Sequence, residues 1–134
     1  MADLSITAAN VVKGAVSTTR AGTAGAAITA GDALYTLDGK LVLANTATAA
    51  TAMCVGIALN DAAAGQPVVY LAAGKIDPGA TVAIGTYYVL SATAGNICPI
   101  ADLVSTDYVT GIGFGTAADE ITVAINASGV AVPA

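Results

Sequence analysis

The sequence predicts an all-β fold, a small compact β-barrel or β-tulip-like domain of short strands with an extended N-terminal arm. Short runs of apolar and β-branched residues alternate with Gly, Pro, Asn and Asp, which is the pattern of strands joined by turns. Asp38 and Gly39 stand between two such runs, and Asp-Gly is a pair that the type I′ hairpin turn prefers. The chain of 134 residues has room for one hydrophobic core. We therefore expect an arm and first strand at 1–25 and a single β domain at 26–134.

The strands after the arm are predicted from runs that turn residues bound. The first four lie at 33–37, 40–44, 53–59 and 66–72. The sequence Asp77-Pro78-Gly79 predicts a tight turn after the last of them. Residues 45–52 are rich in Ala, which favours one or two helical turns, although their three Thr weaken that prediction.

Two echoes in the sequence favour an internal duplication. Residues 28–35 are echoed by 82–89, and residues 55–58 by 110–113, at a spacing of about 54 to 55 residues. Each half would then contain a hairpin, a spacer, a strand with Gly and a final strand. The final strand of the second half, at 120–124, would correspond to residues 68–72 of the first half. Two such halves would close into one barrel with an approximate two-fold symmetry axis. Closure would leave no strand edge exposed. The alternative is that Gly-x-x-Tyr patterns recur by chance in a chain of such simple composition.

The charge of the chain argues against a nucleic-acid partner. Its formal net charge is −5, and its only basic residues are scattered: Lys13, Arg20, Lys40 and Lys75. Affinity for nucleic acid comes from Lys and Arg that neutralise phosphates.

A membrane partner is not expected either. Two long uncharged stretches, 41–60 and 78–101, are interrupted by Thr, Asn, Pro and Gly, which indicates strands and turns rather than a spanning helix. The N-terminus has no basic start followed by an apolar run, so we expect synthesis in the cytoplasm. In that reducing compartment Cys54 and Cys98 would be buried thiols, with a disulfide as the less favoured alternative.

No catalytic, cofactor or metal site is predicted, and we expect the chain not to be an enzyme. The sequence contains no His, the commonest general base and a frequent metal ligand. The carboxylates fall mainly in predicted turns, and the adjacent pair Asp119 and Glu120 lacks the spacing of a calcium loop. The Gly-rich run 111–115 is read as strand bending or close approach of another chain. Aromatic residues suit interfaces, and we expect a subunit interface at Tyr35, Tyr87, Tyr88 and Phe114.

Three segments carry a resemblance to a known family. They are Ala-Asp-Leu-Ser-Ile-Thr-Ala-Ala-Asn-Val-Val at 2–12, Gly-Ile-Ala-Leu-Asn-Asp-Ala-Ala-Ala-Gly-Gln-Pro at 56–67, and Asn-Ala-Ser-Gly-Val-Ala-Val-Pro at 126–133. With them the chain resembles, nearly end to end, the head decoration or capsid cement proteins of tailed bacteriophages. The resemblance implies a structural virion protein on the outer surface of an expanded capsid, which it stabilises. The implied partners are the major capsid protein and further copies of the chain, as a homotrimer or else a dimer.

We further expect the N-terminal arm to pair with capsid subunits by strand addition, since main-chain hydrogen bonds give affinity without special side chains. The candidate contact residues are Asp3, Leu4, Ile6, Val11 and Val12. Two alternatives remain open: a tail or head-fibre component, and a non-viral surface adhesin or shell-forming module.

Overall fold

The computed structural model describes Leu4, Ile6 and residues 11–132. These residues form an all-β domain, which confirms the predicted fold class, with one short 3-10 turn at Ile100–Asp102. The strands, numbered in chain order, are β1 (Val11–Thr23), β2 (Ala33–Leu37), β3 (Lys40–Leu43), β4 (Gly56–Ala58), β5 (Pro67–Pro78), β6 (Tyr87–Leu90), β7 (Ile97–Pro99), β8 (Tyr108–Ala117) and β9 (Glu120–Ala131).

The strands form one curled antiparallel sheet, a half-barrel with the order β3-β2-β4-β5-β9-β8-β6-β7. Strand β1 lies off this path and pairs with β5. The path ends at β3 and β7, so the complete closure into a barrel that we predicted is not seen in the ladders of the described residues. The two ends still meet, because the peptide of Gly95, in the β6–β7 loop, bonds to Ala33 and Ala44.

The strand order bears out the predicted repeat. Read from the centre outwards, one half runs β5-β4-β2-β3 and the other runs β9-β8-β6-β7. The last strand of each half, β5 or β9, lies at the centre of the sheet. The hairpin that begins each half, β2–β3 or β6–β7, lies outermost. The central strands β5 and β9 pair antiparallel, as a two-fold perpendicular to the sheet requires.

The turn that precedes the first strand of each half has the same geometry. In the first half, the N–H of residue 32 donates to the carbonyl oxygen of residue 29 at 3.0 Å, and in the second half residue 86 donates to residue 83 at 3.2 Å. Gly31 and Gly85 occupy the same place in these turns, with φ of 95° and 83°. Positive φ is strained for residues with a Cβ, which explains why the glycine recurs.

The same glycines anchor each turn to the third strand of its half. The Gly31 N–H donates to the Ala58 carbonyl at 2.8 Å, and the Gly85 N–H donates to the Gly115 carbonyl at 2.8 Å. Ala58 therefore corresponds to Gly115 in the structure. The sequence echo had aligned Ala58 with Gly113, two residues earlier. Register shifts in β8 cause this offset, and sequence spacing alone does not reveal them.

A register shift also reverses which side of β5 is buried. Leu71 and Ile76 are both buried in the main core, although they lie an odd number of positions apart and would face opposite sides of a regular strand. Between them the pairing of β5 with β1 shifts. Thr18 pairs with Ala73 but Thr19 pairs with Leu71, which leaves one extra residue in β5. One extra residue in a strand moves every later side chain to the other face. The main core therefore receives one face of the first half and the opposite face of the second. On the other face of the first half, Leu34, Ala58 and Val68 are buried in a second, smaller core.

The remaining sequence predictions are corrected in detail. Residues 45–52 form no helix; the hydroxyl of Thr51 bonds to the Asn45 side chain at 3.0 Å and to the Thr48 hydroxyl at 3.0 Å. Such side-chain bonds stabilise turns in competition with helix. Strand β4 is shorter than the predicted 53–59, and β5 extends past the predicted end at residue 72 as far as Pro78.

The hairpin prediction is confirmed. Leu37 pairs with Lys40, and the two turn residues Asp38 and Gly39 have φ of 51° and 79°, as a type I′ turn needs. Cys54 and Cys98 are buried thiols that form no disulfide with each other. Burial raises the pKa of the Cys54 thiol to about 11, which keeps it protonated.

Candidate docking surface

An open, mostly apolar groove of about 700 Å³ lies where the two halves of the sheet meet. Strands β5, β6, β8 and β9 supply its walls, and none of its lining residues is charged. The lining residues are Ala72, Ala73, Tyr87, Gly113, Phe114, Thr116, Thr122, Ala124, Ile125 and Asn126. We call this groove and its walls the open face.

The centre of the open face is a pair of aromatic rings. Tyr87 of β6 lies opposite Phe114 of β8 in the antiparallel ladder. Their ring centroids are 4.7 Å apart with the planes inclined at 48°, within the range of favourable aromatic pairs. Phe114 is nevertheless 54% exposed. A ring of this size left in solvent is a candidate contact for another protein.

Two glycines of β8 allow close approaches here, one by the Tyr87 ring and one by the neighbouring strand β9. A Cβ on Gly111 would overlap the ring and hydroxyl of Tyr87, and a Cβ on Gly113 would overlap the carbonyl of Thr122 in β9. The predicted close approach at the Gly-rich run is thus made by strands of the same chain. The alternation of glycine with Phe114 and Thr116 is a signal from which the face could have been found in the sequence.

Tyr88 is not an interface residue of the folded chain, contrary to our prediction. It is 2% exposed, and its hydroxyl accepts a hydrogen bond from the Ala83 N–H at 2.9 Å. Successive residues of a strand point to opposite faces, so Tyr88 must lie in the core when Tyr87 lies outside.

Tyr35 lies in a different part of the surface. It is half-buried and lines a shallow hollow of about 290 Å³ together with the exposed side chains of Leu37 and Met53. This hollow shares no lining residue with the open face. The structure therefore brings Tyr87 and Phe114 together but not Tyr35.

The candidate arm residues that the structure describes pack largely on their own domain. The Leu4 N–H donates to the carbonyl of Ile97, on the edge strand β7, at 2.8 Å. Ile6 packs on the main core, and Val11 is buried in it and pairs with Pro78. Val12 is exposed, and Asp3 lies outside the described residues.

The charged groups are dispersed. Among the described residues no group of three or more His, Cys, Asp or Glu could hold a metal ion. Glu120 accepts a bond from the Thr116 hydroxyl at 2.8 Å and lies 3.9 Å from the Lys75 ammonium. Asp32 and Asp61 instead cap the turn before β2, accepting from the peptide N–H groups of residues 29 and 30 at 2.8 Å each.

Comparison of the chain with protein-family models and with curated proteins finds no match. A search of the described residues finds no helix with the length and apolar character needed to span a bilayer.

Proposed function

We propose that this chain is a structural virion protein that binds the outer surface of an expanded bacteriophage capsid and stabilises it, as a decoration or cement protein. Its principal partner is the major capsid protein. The role requires no catalysis, cofactor, nucleic acid or membrane.

The observation that supports this proposal best is the open face. It presents a half-exposed aromatic ring in a groove without charged lining residues. Fully buried centres of protein interfaces have this composition, with aromatic residues enriched and charged residues depleted. Ligand-sized enzyme pockets usually add convergent charged groups, which this lining lacks. A protein partner therefore fits the face better than a small polar substrate.

Charge supports the outer side of the capsid as the location. With net charge −5 and four basic residues, the chain has little means of binding packaged DNA. The resemblance of the segments at 2–12, 56–67 and 126–133 to head decoration proteins points to the same role.

Self-association belongs to the same proposal, as a homotrimer or a dimer. The hollow around Tyr35, Leu37 and Met53 is a second apolar surface, separate from the open face. In this proposal the open face contacts the shell and the hollow contacts another copy of the chain.

Quantitative mass spectrometry of purified particles tests the proposal. We expect a ratio of this chain to the major capsid protein that approaches one. A few copies per particle would instead identify a tail or head-fibre component. Absence from the particles would overturn the virion role and favour a surface adhesin or shell-forming module.

A further inference from the structure

We propose that the open face binds an extended, uncharged, aliphatic segment of the shell protein. This inference rests on the proposed function and assigns the surface and the chemistry of its occupant. Its basis is the repeat, because the equivalent site in the first half of the chain is already covered.

The two equivalent sites differ in exposure. Ala33 and Ile57 pair across β2 and β4, just as Tyr87 and Phe114 pair across β6 and β8. The first pair is fully buried, with Ile57 only 1% exposed, whereas Phe114 is 54% exposed.

The turns beside these pairs differ in the same way. Ala30 and Gly31 are buried, whereas their counterparts Ile84 and Gly85 are exposed, Ile84 to 71%. The second site thus carries apolar side chains at least as large as those of the first, but without a cover. An exposed apolar surface of this kind marks an interaction site.

The first site shows which chemistry covers such a turn. A Cβ placed on Gly31 would lie 2.7 Å from Cγ2 of Ile6 and 3.4 Å from Cγ2 of Val11. Nothing lies within 4 Å of the same position on Gly85. The cover of the first turn is therefore a β-branched aliphatic segment of the chain itself, and we assign the same chemistry to the occupant of the second site.

The groove also selects against a charged occupant. Its lining has no charged group, and burying an unpaired charge is costly. The Thr116 hydroxyl donates to Glu120 at 2.8 Å and lies 3.1 Å from the Thr122 hydroxyl, so both hydroxyls have partners within the chain. Side-chain shape and apolar area would then supply most of the binding.

A second copy is a poorer occupant than a shell segment. The N-terminal segment of the chain would be the natural donor, but Ile6 and Val11 already cover Gly31. Moving them to the open face of another copy would uncover the turn at Gly31.

The first test uses a probe that has the assigned chemistry. A synthetic peptide with the sequence of residues 4–12, Leu-Ser-Ile-Thr-Ala-Ala-Asn-Val-Val, is titrated into the full-length ¹⁵N-labelled chain and followed by NMR. We expect chemical-shift changes at Gly85, Tyr87 and Phe114. Changes confined to Gly31 and its neighbours, or no changes, would overturn the inference.

The variant Ala124→Glu places a carboxylate in the groove at an exposed position and removes no contact of the core. We expect it to weaken peptide binding at least tenfold. The matched control is Val104→Glu, at a residue that is 63% exposed and does not line the groove. Phe114→Ser serves as a second variant that removes the ring instead of adding charge, and thermal unfolding verifies that each variant folds.

The second test measures binding to expanded shells that lack this chain. Loss of shell binding by Ala124→Glu and Phe114→Ser, with full binding by Val104→Glu, is the expected result. Full binding by all variants would overturn the inference and leave the proposed function standing. Failure of the wild-type chain to bind shells would overturn the proposed function itself. A concentration-dependent dimer that Ala124→Glu abolishes would make a second copy the occupant, against the inference.

Discussion

The two halves of the sheet have the same connectivity and the same turn hydrogen bonds, yet they turn opposite faces towards the main core. Ile57 of the first half lies in the core, and its counterpart Phe114 lies in solvent. The difference follows from the register shift in β5, after which the alternation of inward and outward side chains is reversed. A repeated sequence pattern can therefore give two unlike surfaces, one covered by the chain itself and one exposed to solvent.

The largest expected effect is a difference in the free energy of unfolding between substitutions at the equivalent positions Ile57 and Phe114. Ile57→Ala removes a buried side chain and should lower the free energy of unfolding by about 2–5 kcal/mol. Phe114→Ala removes mainly the contact with Tyr87 and should cost about 0.5–1.5 kcal/mol. Urea unfolding of both variants measures the difference. Equal losses would mean that Phe114 is as buried as Ile57 and that the open face does not exist in solution.

A middle-sized effect concerns the two glycine turns. Gly31→Ala and Gly85→Ala both force a residue with a Cβ to positive φ, which should cost about 1–2 kcal/mol each. Gly31→Ala should cost more, because its Cβ would also press on Ile6 at 2.7 Å. The free energies of unfolding of both variants test this, with Gly39→Ala as a control, since nothing lies within 4 Å of that position. Identical losses at Gly31 and Gly85 would contradict the packing of Ile6 over the first turn.

The smallest expected effect is a pH dependence confined to the first half. Burial, opposed by the Thr29 N–H and aided by the nearby Asp61 carboxylate, raises the pKa of Asp32. The folded chain then holds this proton more tightly than the unfolded chain, so the contribution of Asp32 to stability is most favourable below the ordinary carboxyl pKa. It is lost as pH rises through the raised pKa. The counterpart in the second half, Thr86, carries no titrating carboxyl.

Between the ordinary and the raised carboxyl pKa, the free energy of unfolding of Asp32→Asn should therefore decrease less steeply with rising pH than that of the wild type. The measurement is the difference between the wild-type and variant unfolding free energies across acidic pH. Thr36→Asn, at an exposed residue that carries no carboxyl, is the control and should keep the wild-type slope. An unchanged slope in Asp32→Asn would contradict the raised pKa.

Local patterns predicted local structure well. The β2–β3 hairpin begins at the predicted residue and turns at Asp38-Gly39, because the turn chemistry is contained in two adjacent residues. The repeat was visible because both halves need a positive-φ glycine at the same turn, Gly31 and Gly85. Residues 45–52 were predicted less well, because Thr side chains compete for the backbone groups that a helix would use.

The candidate site was predicted only in part. Aromatic residues were expected at an interface, and Tyr87 and Phe114 do share an open face. The prediction of Tyr88 as an interface residue was wrong. The alternation of side chains along a strand shows that neighbours face opposite sides but not which of them faces the core. Leu4, Ile6 and Val11 contact their own domain, and their strand addition to a capsid stays a prediction.

The sequence by itself determined the all-β class, the main strands and turns and the charge-poor, acidic character of the chain, and it indicated the repeat. These properties depend on residues close together in the chain or on composition. Only the tertiary structure decided that Ile57 is covered and Phe114 is open. That choice depends on a register shift between β1 and β5, which are distant in sequence, and on which face of each half the curled sheet encloses.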